Sequence, residues 1–212
     1  MPIASLTRFS VPIPGSVSQG LLMPKLKYRF RVTLDQFGIL GTPSTELTKQ
    51  VMNVSRPEIT FEEIKLPVYN STVKIAGKHS IGDPKLTVRD DASGVVSRKV
   101  GEQLQKQFDF FEQASAAAGI DYKFRMRVEI LDGGNGNFEP VSLESFEFLG
   151  CYIKNVVYQG GDYGANDPMD IAITLGCDNV IQLTSPGGPI AGIGQDQGRI
   201  VRPQFAQGLT TG

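Results

Sequence analysis

Residues 57–111, PEITFEEIKLPVYNSTVKIAGKHSIGDPKLTVRDDASGVVSRKVGEQLQKQFDFF, decide the fold. Ile59 and Phe61 share one face of an extended segment as far as Glu62-Glu63, after which Ile64, Leu66 and Val68 carry the opposite parity. One extra residue at Glu62-Glu63, a β-bulge, would restore a continuous apolar face. Val73 and Ile75 predict a second strand closed by Ala76-Gly77, and Leu86 and Val88 a third, entered through Gly82-Asp83-Pro84. The period then changes. Val96, Val100, Leu104, Phe108 and Phe111 recur at spacings of four and three, the apolar stripe of a helix that packs on a sheet. Asp90-Asp91 bring negative charge to its N-terminus, Ser93 is a candidate N-cap and Gly119 a stop, which places the helix at about 94–118.

On either side of this stretch, strands alternate cleanly. In KLKYRFRVTL, residues 25–34, Leu26, Tyr28, Phe30, Val32 and Leu34 face one way and Lys25, Lys27, Arg29, Arg31 and Thr33 the other. Residues 121–131 repeat the pattern, with Tyr122, Phe124, Met126, Val128 and Ile130 inward and Lys123, Arg125, Arg127 and Glu129 outward. Two amphipathic strands favour an antiparallel sheet with one wet face over a parallel sheet covered by helices. Gly133-Gly134-Asn135-Gly136-Asn137 predicts a hairpin loop to a strand at 139–149, and residues 151–159 and 168–181 supply a last pair. The class is therefore mainly β with one flanking helix, in a single domain over residues 25–182.

The ends differ. Residues 1–24 and 183–212 are rich in Pro, Gly, Ser and Gln and show no sustained period. Two readings stand: disordered tails, or arms that order on a neighbour through anchors such as Phe9, Ile13, Ile200 and Phe205. The start also lacks the uninterrupted apolar core of a signal peptide, and no run approaches a membrane span, so a soluble protein made in the cytoplasm is expected.

The 212 residues are 40% hydrophobic and carry 21 basic against 22 acidic side chains, a balance that gives no global attraction to nucleic acid or an anionic membrane. Seven cations on two strands, Lys25, Lys27, Arg29, Arg31, Lys123, Arg125 and Arg127, form the one local concentration. A nucleic-acid surface is one reading, and pairing with carboxylates of neighbouring strands or subunits is the other. No aromatic residue shares their exposed face to stack on bases.

Chemistry finds little purchase. A phosphate loop around Gly77-Lys78 would need a glycine at Thr72 and a hydroxyl residue at His79. Gly192-Ile193-Gly194 lies in an aperiodic tail rather than between strand and helix. His79 is the one histidine, which excludes histidine-rich metal sites, and Asp162, Asp167 and Asp170 lack the spacing of a calcium loop. Glu62 and Glu63 are adjacent in a strand and point to opposite faces. Neither catalytic residues nor a metal or cofactor site is expected. Cys151 and Cys177 make no disulfide framework; Cys177 continues the parity of Met169, Ile171, Ile173 and Leu175 and reads as a reduced, buried thiol.

The order of these elements resembles that of tail tube proteins of contractile-tailed bacteriophages. The similarity rests on Ile75-Ala76-Gly77-Lys78 closing a strand, then Leu86-Thr87-Val88-Arg89-Asp90-Asp91, then a helix with Phe108, Phe110 and Phe111 near its end. It extends over most of residues 25–181. The resemblance implies an antiparallel β-sandwich or small barrel with extended terminal arms, assembled as sixfold rings that stack into a tube. It further implies a surrounding tail sheath, baseplate and tail-terminator partners, a place in the virion after assembly in the host cytoplasm, and transient passage of double-stranded DNA without specific binding. No membrane is involved. A tube protein of a tailocin or bacterial contractile secretion device, or a single-ring baseplate or terminator component, would carry nearly the same fold. On this reading the seven cations lie on an inter-subunit or outer surface.

Overall fold

The computed structural model describes residues 25–38, 45–132, 140, 142–164, 166–184 and 188–189. The glycine-rich loop expected at 133–137 and most of both terminal arms lie outside the described residues. Among the described residues the elements run β1 (Phe30–Asp35), α1 (Thr45–Lys49), β2 (Val51–Val54), β3 (Ile59–Val68), β4 (Ser71–Ile81), β5 (Lys85–Arg89), α2 (Val95–Gln107), β6 (Phe108–Asp109), β7 (Ala114–Ser115), α3 (Gly119–Tyr122), β8 (Phe124–Leu131), β9 (Ser142–Tyr158), β10 (Asp170–Gly176), β11 (Asn179–Thr184) and β12 (Gly188–Pro189). The chain is mainly β, as the alternation required.

One long antiparallel sheet folds on itself in the order β1-β8-β9-β10-β5-β2, with β11 paired to β9 and β12 to β11. β9 belongs to both halves: residues 142–151 pair with β8 and 144–149 with β11, whereas 152–158 pair with β10. The sequence pattern suggests two strands here, and the structure makes one strand of 17 residues. Gly150 accounts for the difference. Between Phe124 and Met126 lie two steps of β8, but between their partners Cys151 and Phe148 lie three steps of β9, so β9 holds an extra residue beside Gly150. With φ at 64° that residue occupies the left-handed region that suits glycine, and the resulting bulge turns the strand from one half of the sheet into the other.

The inward faces meet in one core. Val32 and Leu34 of β1, Phe124, Met126 and Val128 of β8, Phe146 and Phe148 of β9, and Ile171, Ile173 and Leu175 of β10 are all buried, as are Leu86 and Val88 of β5. Phe37 closes on Phe124 edge-on at 4.9 Å. α2 covers this core with Val96 and Val100.

Several boundaries move from those expected. Residues 25–29 are not strand: they form a turn in which the Arg29 N–H donates to the Leu26 carbonyl at 3.2 Å, and Tyr28 is exposed. Tyr122 belongs to α3, whose first residue is Gly119, so that glycine opens a helical turn instead of ending α2. α2 stops at Gln107. Asp109 Oδ1 accepts the Phe111 and Glu112 N–H groups at 2.9 and 3.2 Å, a turn that competes with the helix for those donors and leaves Phe111 in solvent. At the other end the N-cap is Gly94 at φ 69°, not Ser93. The Ser93 hydroxyl donates to Asp91 Oδ2, and Asp91 Oδ1 takes the Val96 N–H at 2.9 Å.

β3 and β4 form a separate two-stranded sheet, and β4 continues through Ala76-Gly77 to Ile81 instead of closing there. A register shift does fall beside Glu62, but Phe61 to Glu63 spans two residues and their partners His79 to Ala76 span three. The extra residue therefore sits in β4, near Gly77-Lys78, and the apolar face is not made continuous. Ile59, Phe61 and Ile81 mark one face near the base; Ile64, Leu66, Val73 and Ile75 mark the other face further out.

Candidate assembly surfaces

The seven cations do not form one patch. Alternation and pairing put Arg31, Arg125 and Arg127 together on the outer face of β1, β8 and β9, because Thr33 stands opposite Arg127 and Asp35 opposite Arg125. Arg31 Nε lies 2.6 Å from Glu129, its cross-strand partner, and Arg125 and Arg127 share Glu147 of β9 at 3.3 and 3.5 Å. Lys123, just before β8, reaches Asp178 at 2.6 Å, and that hydrogen bond holds its ammonium above the usual lysine range. Arg29 donates to the Asp132 carbonyl at 2.5 Å and lies 5.4 Å from the centre of the Tyr28 ring. Lys27 is exposed in the turn. Lys25 turns away from this face altogether.

Lys25 instead meets Glu144, a residue that sequence reasoning passed over. Glu144 is almost fully buried, on the same parity of β9 as Phe146 and Phe148. Its Oε2 accepts from Lys25 Nζ at 2.5 Å and Arg56 at 2.7 Å, and its Oε1 from Gln182 Nε2 at 2.6 Å. The Arg56 guanidinium also lies 5.3 Å from the centre of the Phe146 ring. Lys25 follows the N-terminal arm, Arg56 precedes the β3–β4 hairpin and Gln182 precedes the C-terminal arm, so one carboxylate ties the roots of all three segments. A carboxylate on the core-facing parity of an otherwise apolar strand is the signal that could have found it.

The hairpin itself exposes all ten residues of β3, and most of β4. Phe61 is 64% exposed and Tyr69, at the tip, is fully so. Polar groups are interleaved: Glu63 lies 3.5 Å from Lys65 and 3.1 Å from Lys74, and Thr60 is hydrogen-bonded to Ser80 at 2.6 Å. At the base of the hairpin, an open groove of about 730 Å³ runs between the Lys25–Tyr28 turn and β2; its walls are Phe30, Val51, Val54 and Ile130, with Lys25 and Arg56 at the rim. His79 stands on the hairpin with its ring centre 6.2 Å from that of Phe61. Among the described residues no three of His, Cys, Asp and Glu gather to hold a metal, and no helix is long and apolar enough to cross a membrane.

No protein-family model matches the chain, and no curated protein matches it in sequence. Solved structures do. The anti-feeding prophage baseplate contains a chain that superposes with a TM-score of 0.57 at 13% identity, covering 77% of this chain and 98% of its own length. The chain has the tail-tube fold. A component of the cap that terminates the anti-feeding prophage tube gives 0.55 at 16% identity, over 78% of this chain and 95% of that one. The sheath–tube complex of the PVC extracellular contractile injection system, in its extended state, gives 0.55 at 16% identity, over 76% and 92%. These neighbours are structural parts of contractile injection systems.

Proposed function

We propose that this chain is the structural tube subunit of a contractile phage tail, forming sixfold rings that stack into the inner tube of a virion through which the genome is ejected. A sheath surrounds the tube, baseplate and terminator proteins close its ends, and double-stranded DNA passes without specific binding. The role is assembly and not catalysis. The observation that carries this reading is the β3–β4 hairpin. A lone two-stranded sheet is marginal in water, yet this one leaves the body of a tail-tube fold with apolar side chains on both faces. Cover from neighbouring subunits would remove that cost, and β1 and β2, the outermost strands of the main sheet, offer further edges for pairing.

The terminal arms, residues 1–24 and 183–212, act in stacking or sheath contact, anchored where Lys25 and Gln182 meet Glu144. The face bearing Arg31, Arg125 and Arg127 lies on an outer or inter-subunit surface. Its carboxylate partners support this, since free cations in the channel would grip a passing polyanion through counterion release. Replacing Ile64 and Leu66 together by serine should leave the circular dichroism spectrum intact and abolish assembly; undiminished assembly would remove the hairpin from the account.

A second reading is a single-ring component, and likeness to the cap of the anti-feeding prophage tube favours it. Such a protein stops at one ring at any concentration. A tailocin or secretion-device tube would grow as a phage tube does and is separated from it by capsid genes beside its own.

A further inference from the structure

Parity alone reads Cys177 as a reduced, buried thiol, but strand register relates it to Cys151. β9 and the β10–β11 segment run antiparallel in a register that holds across the bend between them: Leu175 pairs with Ile153 and Gly176 with Tyr152, and beyond the bend Asn179 pairs with Leu149 and Val180 with Phe148. Continuing the same register puts Cys177 opposite Cys151 and Asp178 opposite Gly150. The second of these is borne out in space, since a Cβ placed on Gly150 would fall 2.2 Å from Asp178 Oδ2. Residues opposed in an antiparallel ladder stand about 4.5–5.5 Å apart at Cα. A disulfide bridges about 4.4–6.8 Å.

We propose that Cys151 and Cys177 form a redox pair that closes into an intramolecular disulfide at the point where β9 passes between the two halves of the sheet. Cys151 is buried and Cys177 half-buried, so the outer sulfur is the one that meets a reagent. The interaction between the two thiols lowers Cys177, making it the more acidic of the pair, and together with burial raises Cys151. Cys151 Sγ is also 3.4 Å from the Phe148 carbonyl oxygen, the acceptor for its proton at rest.

The oxidant is a small disulfide such as oxidised glutathione. The Cys177 thiolate attacks one of its sulfurs, the S–S bond breaks, and a glutathione thiolate leaves and takes up a proton. Cys151 then loses its proton to solvent and attacks the Cys177 sulfur, forming the Cys151–Cys177 bond and expelling the second glutathione. Two protein thiols are oxidised and one glutathione disulfide is reduced to two thiols. A protein assembled in a reducing cytoplasm and later released would acquire the bond outside the cell.

The test incubates the native full-length chain with oxidised glutathione and follows free thiols, intact mass and melting. The expected result is loss of both thiols, a mass lower by two hydrogens, a peptide cross-link between Cys151 and Cys177 that dithiothreitol removes, and a melting temperature raised by roughly 5–10 °C. Cys151→Ser should stop at a glutathione adduct on Cys177, and Cys177→Ser should react slowly or not at all. A lasting adduct on the unmodified chain, only intermolecular disulfides, or native thiols that stay free while the urea-unfolded chain oxidises would each overturn the proposal.

Discussion

The side-chain amide of Gln107 grips both backbone groups of Ile153: Nε2 donates to the Ile153 carbonyl at 2.9 Å, and the Ile153 N–H donates to Oε1 at 2.7 Å. The pairing of β8 with β9 ends at Phe124 and Cys151. Gln107 takes over the exposed edge of β9 just beyond, and so fixes the last turn of α2 to the strand that both halves of the sheet share. One turn earlier, buried Gln103 accepts the Gly38 N–H at 2.9 Å and donates to the Tyr122 carbonyl at 2.7 Å. Two glutamines four apart thus satisfy backbone groups that no strand reaches.

Gln107→Ala strands two backbone groups on a buried residue. At about 1–3 kcal/mol for each unsatisfied group, the variant should lose about 2–6 kcal/mol in urea denaturation. Gln107→Glu keeps the acceptor but not the donor and should fall between the two. A loss under about 0.5 kcal/mol for the alanine variant would mean that water replaces the amide at no cost.

Glu144→Ala removes one acceptor from three donors. Lys25 and Arg56 are about half exposed and can return to water, so the cost is held to about 1–2 kcal/mol. Glu63→Ala, which breaks two exposed pairs on the hairpin, should cost under about 1 kcal/mol. Equal effects in thermal unfolding would argue that Glu144 is no more than a surface partner.

Gly150→Ala meets two obstacles. The left-handed backbone costs a β-carbon about 1–2 kcal/mol, and the added atom collides with the Asp178 carboxylate. Gly150→Ala with Asp178→Ala should recover the collision but not the backbone cost. If the double variant melts no higher than the sum of the single losses allows, the clash is not with Asp178.

Hydrogen bonds from the Ser93 hydroxyl and from the Val96 N–H hold the Asp91 carboxyl below the usual aspartate range. A carboxyl depressed in the folded state stabilises it above the unfolded pKa, and that contribution is lost as pH falls through the lower, folded value. The stability gap between the parent chain and Asp91→Ala should therefore be constant near neutrality and close in strong acid. A gap that widens on acidification would contradict the assignment.

What alternation can carry was legible. Val32, Leu34, Met126, Val128, Ile171 and Ile173 are buried where parity puts them, and Leu86 and Val88 mark a core strand. Parity failed where a side chain or a bulge outranks it. Lys25 and Tyr28 fit an alternating pattern, but Glu144 draws the first out of line and the turn exposes the second. The helix stripe runs on to Phe111, yet Asp109 captures the next N–H groups and ends it. The outer cations were visible as residues, whereas their partners Glu129 and Glu147 follow from strand order, which one chain's pattern does not contain. The hairpin was the hardest to read, because an apolar alternation looks the same whether its face meets the protein's own core or another subunit.

The central claim, that this fold completes itself in a ring, is tested most directly by light scattering of the purified full-length chain over a wide concentration range, with negative-stain images of the same samples. The account predicts a discrete species of about six copies and, as concentration rises, tubes built of stacked rings. A stable monomer throughout, with the hairpin left in solvent, would contradict it.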